Sequence, residues 1–162
     1  MIKSKLTLSL LLLSLTLPLC ARGFDGVSAP QLRKDAEAGN AEAQSQLGVL
    51  YASGMGGLRR DKKEAARWYR KAADQGHPLG QWNLAFMYVK GEGVPVDYTR
   101  ARLLFRKAAE NDFVNAQYDL GMMILQGMGG DQDRKEAEKW FHMAADQGYK
   151  EAKEILKQLA AN

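Results

Sequence analysis

From about residue 41 onward the chain repeats one amphipathic pattern. Ala43, Leu47, Gly48 and Tyr51 share one face at 3.6-residue spacing, which predicts a helix A from near Ala43 to Ser53. Gly54 follows, where a left-handed residue ends a helix at low cost, and Gly91 and Gly127 take the same place further on. Beyond a short loop, Asp61 opens a second pattern through Ala65, Trp68-Tyr69 and Ala72-Ala73, predicting an antiparallel helix B that Gly76 closes. Small residues let helices approach closely, so the alanines of helix B are expected to face Ala43 and Gly48. The aromatic pair is expected to fill the space between neighbouring units.

Shifting the sequence against itself by 36 or 37 residues brings the pattern back twice. Leu47-Gly48 returns as Leu84-Ala85 and Leu120-Gly121. Asp61 returns as Asp97 and Asp133, and Trp68-Tyr69 as Leu104-Phe105 and Trp140-Phe141. The three aspartates are expected to cap the B helices, with Glu64 and Glu136 at capping-box spacing in two of them. Gly76 and Gly148 close helix B where the second unit carries Asp112, which predicts a less relaxed turn there. Units are therefore expected at residues 41–76, 77–112 and 113–148, between a leading half-unit at 24–40 and a polar closing helix at 149–162.

The motif Ala43-Gln44, Leu47-Gly48, Tyr51, Gly54, Asp61, Trp68-Tyr69, Lys71-Ala72-Ala73, Gln75-Gly76 resembles the Sel1-like repeat, a relative of the tetratricopeptide repeat. That resemblance implies an all-α, right-handed solenoid of about eight helices that binds proteins without catalysing a reaction. It is compatible with roles in signalling control, envelope assembly or host interaction. Some cysteine-rich members of the family have been described as β-lactamases, which makes a hydrolase the competing class. Those members carry a cysteine pair in each unit, and no repeat here has one.

The first residues follow a different logic. Lys3 and Lys5 precede a Leu-rich, uncharged run from Leu6 to Leu19, too short for a membrane span, which reads as a secretory leader over residues 1–23 cleaved after Ala21 or Gly23. A periplasmic or secreted chain follows. Cys20, the only cysteine, invites lipidation, but Leu19 before it is bulky for that processing. Loss of the leader takes the 23 basic residues to 21 or 20 against 19 acidic ones, so the formal charge of +4 falls to +2 or +1. With its charges scattered at helical spacing, the mature chain has no basic stripe for nucleic acid.

Little in the sequence points to chemistry. His77 and His142 sit at different places in their units with no ligand or carboxylate at readable spacing, and no strand precedes the glycine runs, as a phosphate loop requires. No cofactor or metal is implied. On the A helices, however, a second stripe lies roughly 130° from the core stripe. It runs through Ser45, Val49 and Ala52, then Trp82, Phe86 and Val89, then Tyr118, Met122 and Leu125. Large apolar residues at such positions indicate a concave groove for a protein or peptide, with Val49, Trp82, Phe86, Val89, Tyr118, Met122 and Leu125 as contacts. Partial burial of the stripe between neighbouring A helices is the alternative.

The leader reading has a direct check. Intact mass of exported protein should begin at Arg22 or Phe24, and retention of Met1 or a lipid on Cys20 would overturn it.

Overall fold

The computed structural model describes residues 29–161. The leader expected over residues 1–23, Cys20 and the first residues of the leading half-unit lie outside the described residues. Eight helices follow in order: α1 (Ala29–Glu37), α2 (Ala41–Ser53), α3 (Lys62–Asp74), α4 (Pro78–Lys90), α5 (Tyr98–Glu110), α6 (Val114–Gln126), α7 (Arg134–Asp146) and α8 (Lys150–Ala160). Each packs mainly on its neighbours in the chain, building an all-α repeat superhelix. Even-numbered helices are of type A and odd-numbered ones of type B.

The helix ends follow from single residues. Gly54, Gly91 and Gly127 close α2, α4 and α6 in the left-handed region. Asp112 is forced to φ 57° where Gly76 and Gly148 adopt 80° and 89°, so the α5–α6 turn is the strained one. The carboxylates of Asp61, Asp97 and Asp133 accept from first-turn amides of α3, α5 and α7. The capping boxes do not close reciprocally. The backbone N–H of each aspartate already donates to the preceding helix A, at Tyr51, Tyr88 and Ile124 respectively. Glu64 and Glu136 are thereby released to bind Arg67 and Arg106, each within 2.8 Å.

Gly48 faces a ring rather than the alanines. A Cβ at Gly48 would lie 2.6 Å from the Tyr69 ring, and one at Gly121 equally close to Phe141. The close small-residue contact is made instead by Ala72 with Gly80 of the following helix A. Trp68 joins Leu32, Ala36, Ala43, Leu47 and Leu50 in a core at the N-terminal end, while Tyr69 belongs to the large core that runs through α8. In α8, Lys157 stands where Gly121 stands in α6, and its exposed side chain pairs with Glu154 at 2.8 Å.

One polar group recurs inside this packing. Gln44, Gln81 and Gln117 are buried and donate to the carbonyls of Ala36, Ala73 and Ala109, at 3.1 to 3.5 Å, where the preceding helix B ends. Gln44 and Gln117 also accept from Gln75 and Gln147, at the end of their own unit's helix B, at 2.7 and 2.9 Å. In the middle unit the equivalent residue is Asn111, one methylene shorter. It donates to Lys107 O, and Gln81 Oε1 is left buried without a partner.

Buried unsatisfied acceptors cost about 1–3 kcal/mol. Asn111→Gln should therefore raise the free energy of unfolding by about 1 kcal/mol, whereas Gln117→Met, which keeps the volume and removes both bonds, should lower it by about 1–3 kcal/mol. Urea titration of the two variants checks both signs.

Candidate functional site

The seven residues of the expected groove do not share one environment. Val49, Trp82, Phe86, Val89 and Leu125 are half-buried along the A helices. Tyr118 and Met122 are 6% and 2% exposed and belong to the core, which corrects the expectation of an open stripe through α6. Rings on both neighbouring segments pack on Tyr118. The Tyr149 ring, just ahead of α8, lies 4.9 Å from that of Tyr118, and the Phe141 ring lies 5.8 Å from it. Ser45, at the same stripe position in α2, is fully buried as well.

What remains open centres on α4. Trp82 and Phe86, one turn apart, meet edge-to-face at 4.8 Å. Phe113 abuts Trp82 at 5.8 Å and Phe105 abuts Phe86 at 5.1 Å, so both rings are backed by aromatic side chains. Lys90 lies over the Phe86 ring at 5.9 Å. The indole N–H of Trp82 donates to Asp119 Oδ2 at 2.7 Å, joining α4 to α6. Asp119 is 4% exposed, and burial drives its pKa up to about 7 against the lowering effect of the indole bond. Burial and the nearby Asp119 likewise raise the hydroxyls of Tyr118 and Tyr149.

Sequence reasoning missed Asp119, Phe113 and Tyr149. Phe113 and Tyr149 occupy the N-cap position of helix A, where Asn40 and His77 accept from backbone amides. An aromatic residue there makes no cap bond, and that mismatch was a readable sign that the position is used for packing. His77 also has a carboxylate partner that spacing could not reveal: Glu42 Oε2, 35 residues away, is 2.8 Å from its Nε2. This is a single pair, and among the described residues no group of three or more His, Cys, Asp or Glu side chains is placed to hold a metal.

The Sel1 repeat model matches three successive segments, residues 41–77, 78–113 and 114–149, which together cover most of the chain. The chain belongs to the Sel1 repeat family. Among solved structures it is similar to a Sel1 repeat protein from Oxalobacter formigenes, at 38% identity and TM-score 0.74, over 80% of this chain and 96% of that one. It is also similar to c5321, a protective antigen of uropathogenic Escherichia coli, at 39% identity and TM-score 0.76, over 80% of this chain and 28% of that one. Helicobacter pylori cysteine rich protein B shares the fold, with 22% identity and TM-score 0.63 over 81% of this chain and 98% of that one. Two Arabidopsis thaliana components of an ERAD-associated E3 ubiquitin-protein ligase, HRD3A and HRD3B, are 37% and 39% identical over 45% and 51% of this chain. The matched regions are 11% and 13% of those proteins' lengths.

Within the Sel1 repeats, the Trp82–Asp119 bond has no counterpart one unit earlier, where Ser45 and Asn83 hold the equivalent positions. Ser45 Oγ and Asn83 Nδ2 are both buried without a partner. The small Ser45 side chain lets α2 and α4 touch directly, whereas the indole of Trp82 stands between α4 and α6.

The raised Asp119 makes stability depend on pH with a definite sign. Its ordinary pKa is 3.8 and its folded value about 7, so the folded chain holds the proton more tightly than the unfolded one. The associated stability is complete below about pH 4 and is lost as pH rises through 7. Melting temperature should therefore fall from pH 5 to pH 8 more steeply in the native chain than in Asp119→Asn, which retains an acceptor for Trp82. Equal slopes would show that Asp119 does not titrate in this window.

Proposed function

We propose that this chain is an exported regulatory scaffold, without catalytic activity, that binds a protein segment or peptide on the inner face of its superhelix. Val49, Trp82, Phe86, Val89 and Leu125 are the contact residues, and Tyr118 and Met122 form the floor behind them. The reading is carried by the Trp82–Phe86 pair, half-exposed yet fixed from behind by Phe105, Phe113 and Asp119. Partly exposed aromatic side chains that are already held rigid lose little conformational freedom on binding, and this is the character of energetic anchors at interfaces.

Family membership supports the same class of function, since Sel1 repeat proteins are protein-interaction scaffolds. The Arabidopsis relatives are named as components of a larger assembly, in keeping with an adaptor role. Placement in the envelope or the secreted space rests on Lys3, Lys5 and the Leu6–Leu19 run. Among the described residues no helix is long and apolar enough to cross a membrane.

Trp82→Ala is a poor test, because it removes core contacts and the Asp119 bond together with any anchor. Val89→Asp and Leu125→Asp place charge at half-buried positions near the ends of α4 and α6, where the fold tolerates it better. Each should weaken capture of the exported partner on immobilised chain by on the order of thirtyfold, about 2 kcal/mol, with little change in melting temperature. Undiminished capture by both variants would exclude the groove.

A further inference from the structure

The most exposed apolar side chains lie outside the groove. Of the five large ones among the described residues, Met55, Val96 and Tyr98, at 42%, 53% and 40% exposure, belong to the loops that lead from helix A to helix B or to the residue just after them. These loops stack side by side along one edge of the superhelix. Gly93, in the α4–α5 loop, lies so close to the start of α3 that a Cβ there would collide with the carbonyl oxygen of Lys62. Gly129, in the α6–α7 loop, stands in the same relation to Tyr98 at the start of α5.

The two edges of the superhelix carry opposite charge. Over residues 54–63, 90–100 and 127–135, at the A-to-B loops, eight Lys and Arg face five acids, three of which are the capping aspartates. Over residues 37–42, 74–78, 110–114 and 146–151, at the B-to-A turns, Lys150 faces seven acids, all of them exposed. The positive charge is densest on the first loop, at Arg59, Arg60, Lys62 and Lys63. Lys62 Nζ lies 2.7 Å from Glu92 Oε2, and Lys90 and Arg60 also act on that carboxylate, so three cations converge on one acid. Arg59 and Lys63 are exposed and form none of the salt bridges found among the described residues.

We infer that the A-to-B loop edge docks on an anionic phospholipid surface, with Arg59, Arg60 and Lys63 toward the headgroup phosphates and Met55, Val96 and Tyr98 in the interfacial layer. Scattered apolar residues on separate loop tips, interleaved with cations, suit a plane better than they suit the concave pocket of a protein partner. Each Lys or Arg near an anionic surface adds to the attraction, and the acidic edge turns away from it, which orients the molecule. The inner face of the superhelix stays free in this pose, so the inference does not depend on the groove.

Hydrogen exchange on the full chain, resolved by peptide, separates this edge from any effect of the Leu-rich N-terminal run. With phosphatidylglycerol vesicles, exchange should slow in residues 54–61 and 91–98 but not in 37–42 or 110–114, and the slowing should vanish at about 0.5 M salt. Arg59→Gln with Arg60→Gln should abolish the protection while circular dichroism stays unchanged, and Val96→Ser with Tyr98→Ser should weaken it. Equal protection with phosphatidylcholine, or an undiminished effect in the arginine variant, overturns the proposal. Protection of the same loops by polyglutamate but not by phosphatidylglycerol overturns it in favour of an acidic protein.

Discussion

The superhelix depends on one buried amide per unit. Where a B helix ends, its last carbonyls lack intrahelical donors, and the short turn into the next helix supplies backbone amides together with the side chains of Gln75 and Asn111, which reach Lys71 O and Lys107 O. Gln44, Gln81 and Gln117 add a side-chain donor at Ala36, Ala73 and Ala109. Because a glutamine amide also accepts, the same side chain can hold the end of its own unit's helix B through Gln75 or Gln147. One residue thus fixes three helices, two of them in different units. Glutamate lacks the donor and methionine lacks both functions, so the Ala-Gln pair at the start of helix A answers a specific geometric demand. It also shows why no unit is complete alone: half of its polar closure belongs to its neighbour.

The architecture was legible because its signals are local and repeated. The glycines after helix A, the aspartates before helix B and the period of 36 or 37 each derive from backbone requirements that a sequence states directly. Asp112 was readable as a strained turn for the same reason, and its φ of 57° follows. Long-range contacts were less legible. Helical angle separated the stripe of Trp82 and Phe86 from the core face, but it carries no information about how far the adjacent A helix reaches across. Tyr149, just ahead of α8, lies against Tyr118 in this way. The Trp82–Asp119 bond joins a stripe position to a polar position one unit and one residue further on, and no single helical wheel contains both.

The inner face is consequently uneven. Toward the C terminus aromatic N-cap residues pack against the stripe, Phe113 against Trp82 and Tyr149 against Tyr118. Toward the N terminus the same cap positions hold Asn40 and His77, which bind backbone amides, and Ser45 replaces the indole. Capping and ring packing are alternatives at this position, since one side chain cannot bond the helix end and stack on the preceding helix A at once. The open aromatic surface is confined to α4 because α2 carries Ser45 in place of a ring and Tyr118 of α6 is buried.

Three consecutive residues at the α5–α6 turn depart from the pattern of the first unit. Asn111 replaces Gln75 and leaves Gln81 half-satisfied; Asp112 replaces Gly76 in a left-handed conformation; and Phe113 replaces His77 and gives up the cap bond. Each change lowers local stability, by on the order of 1 kcal/mol for a lost cap or a strained backbone. Only the third yields a visible return, a ring seated against Trp82. Natural sequences break their own local rules mostly at functional sites. Three breaks in a row lie beside the half-buried Trp82–Phe86 pair, so under the function proposed above this turn would belong to the binding surface.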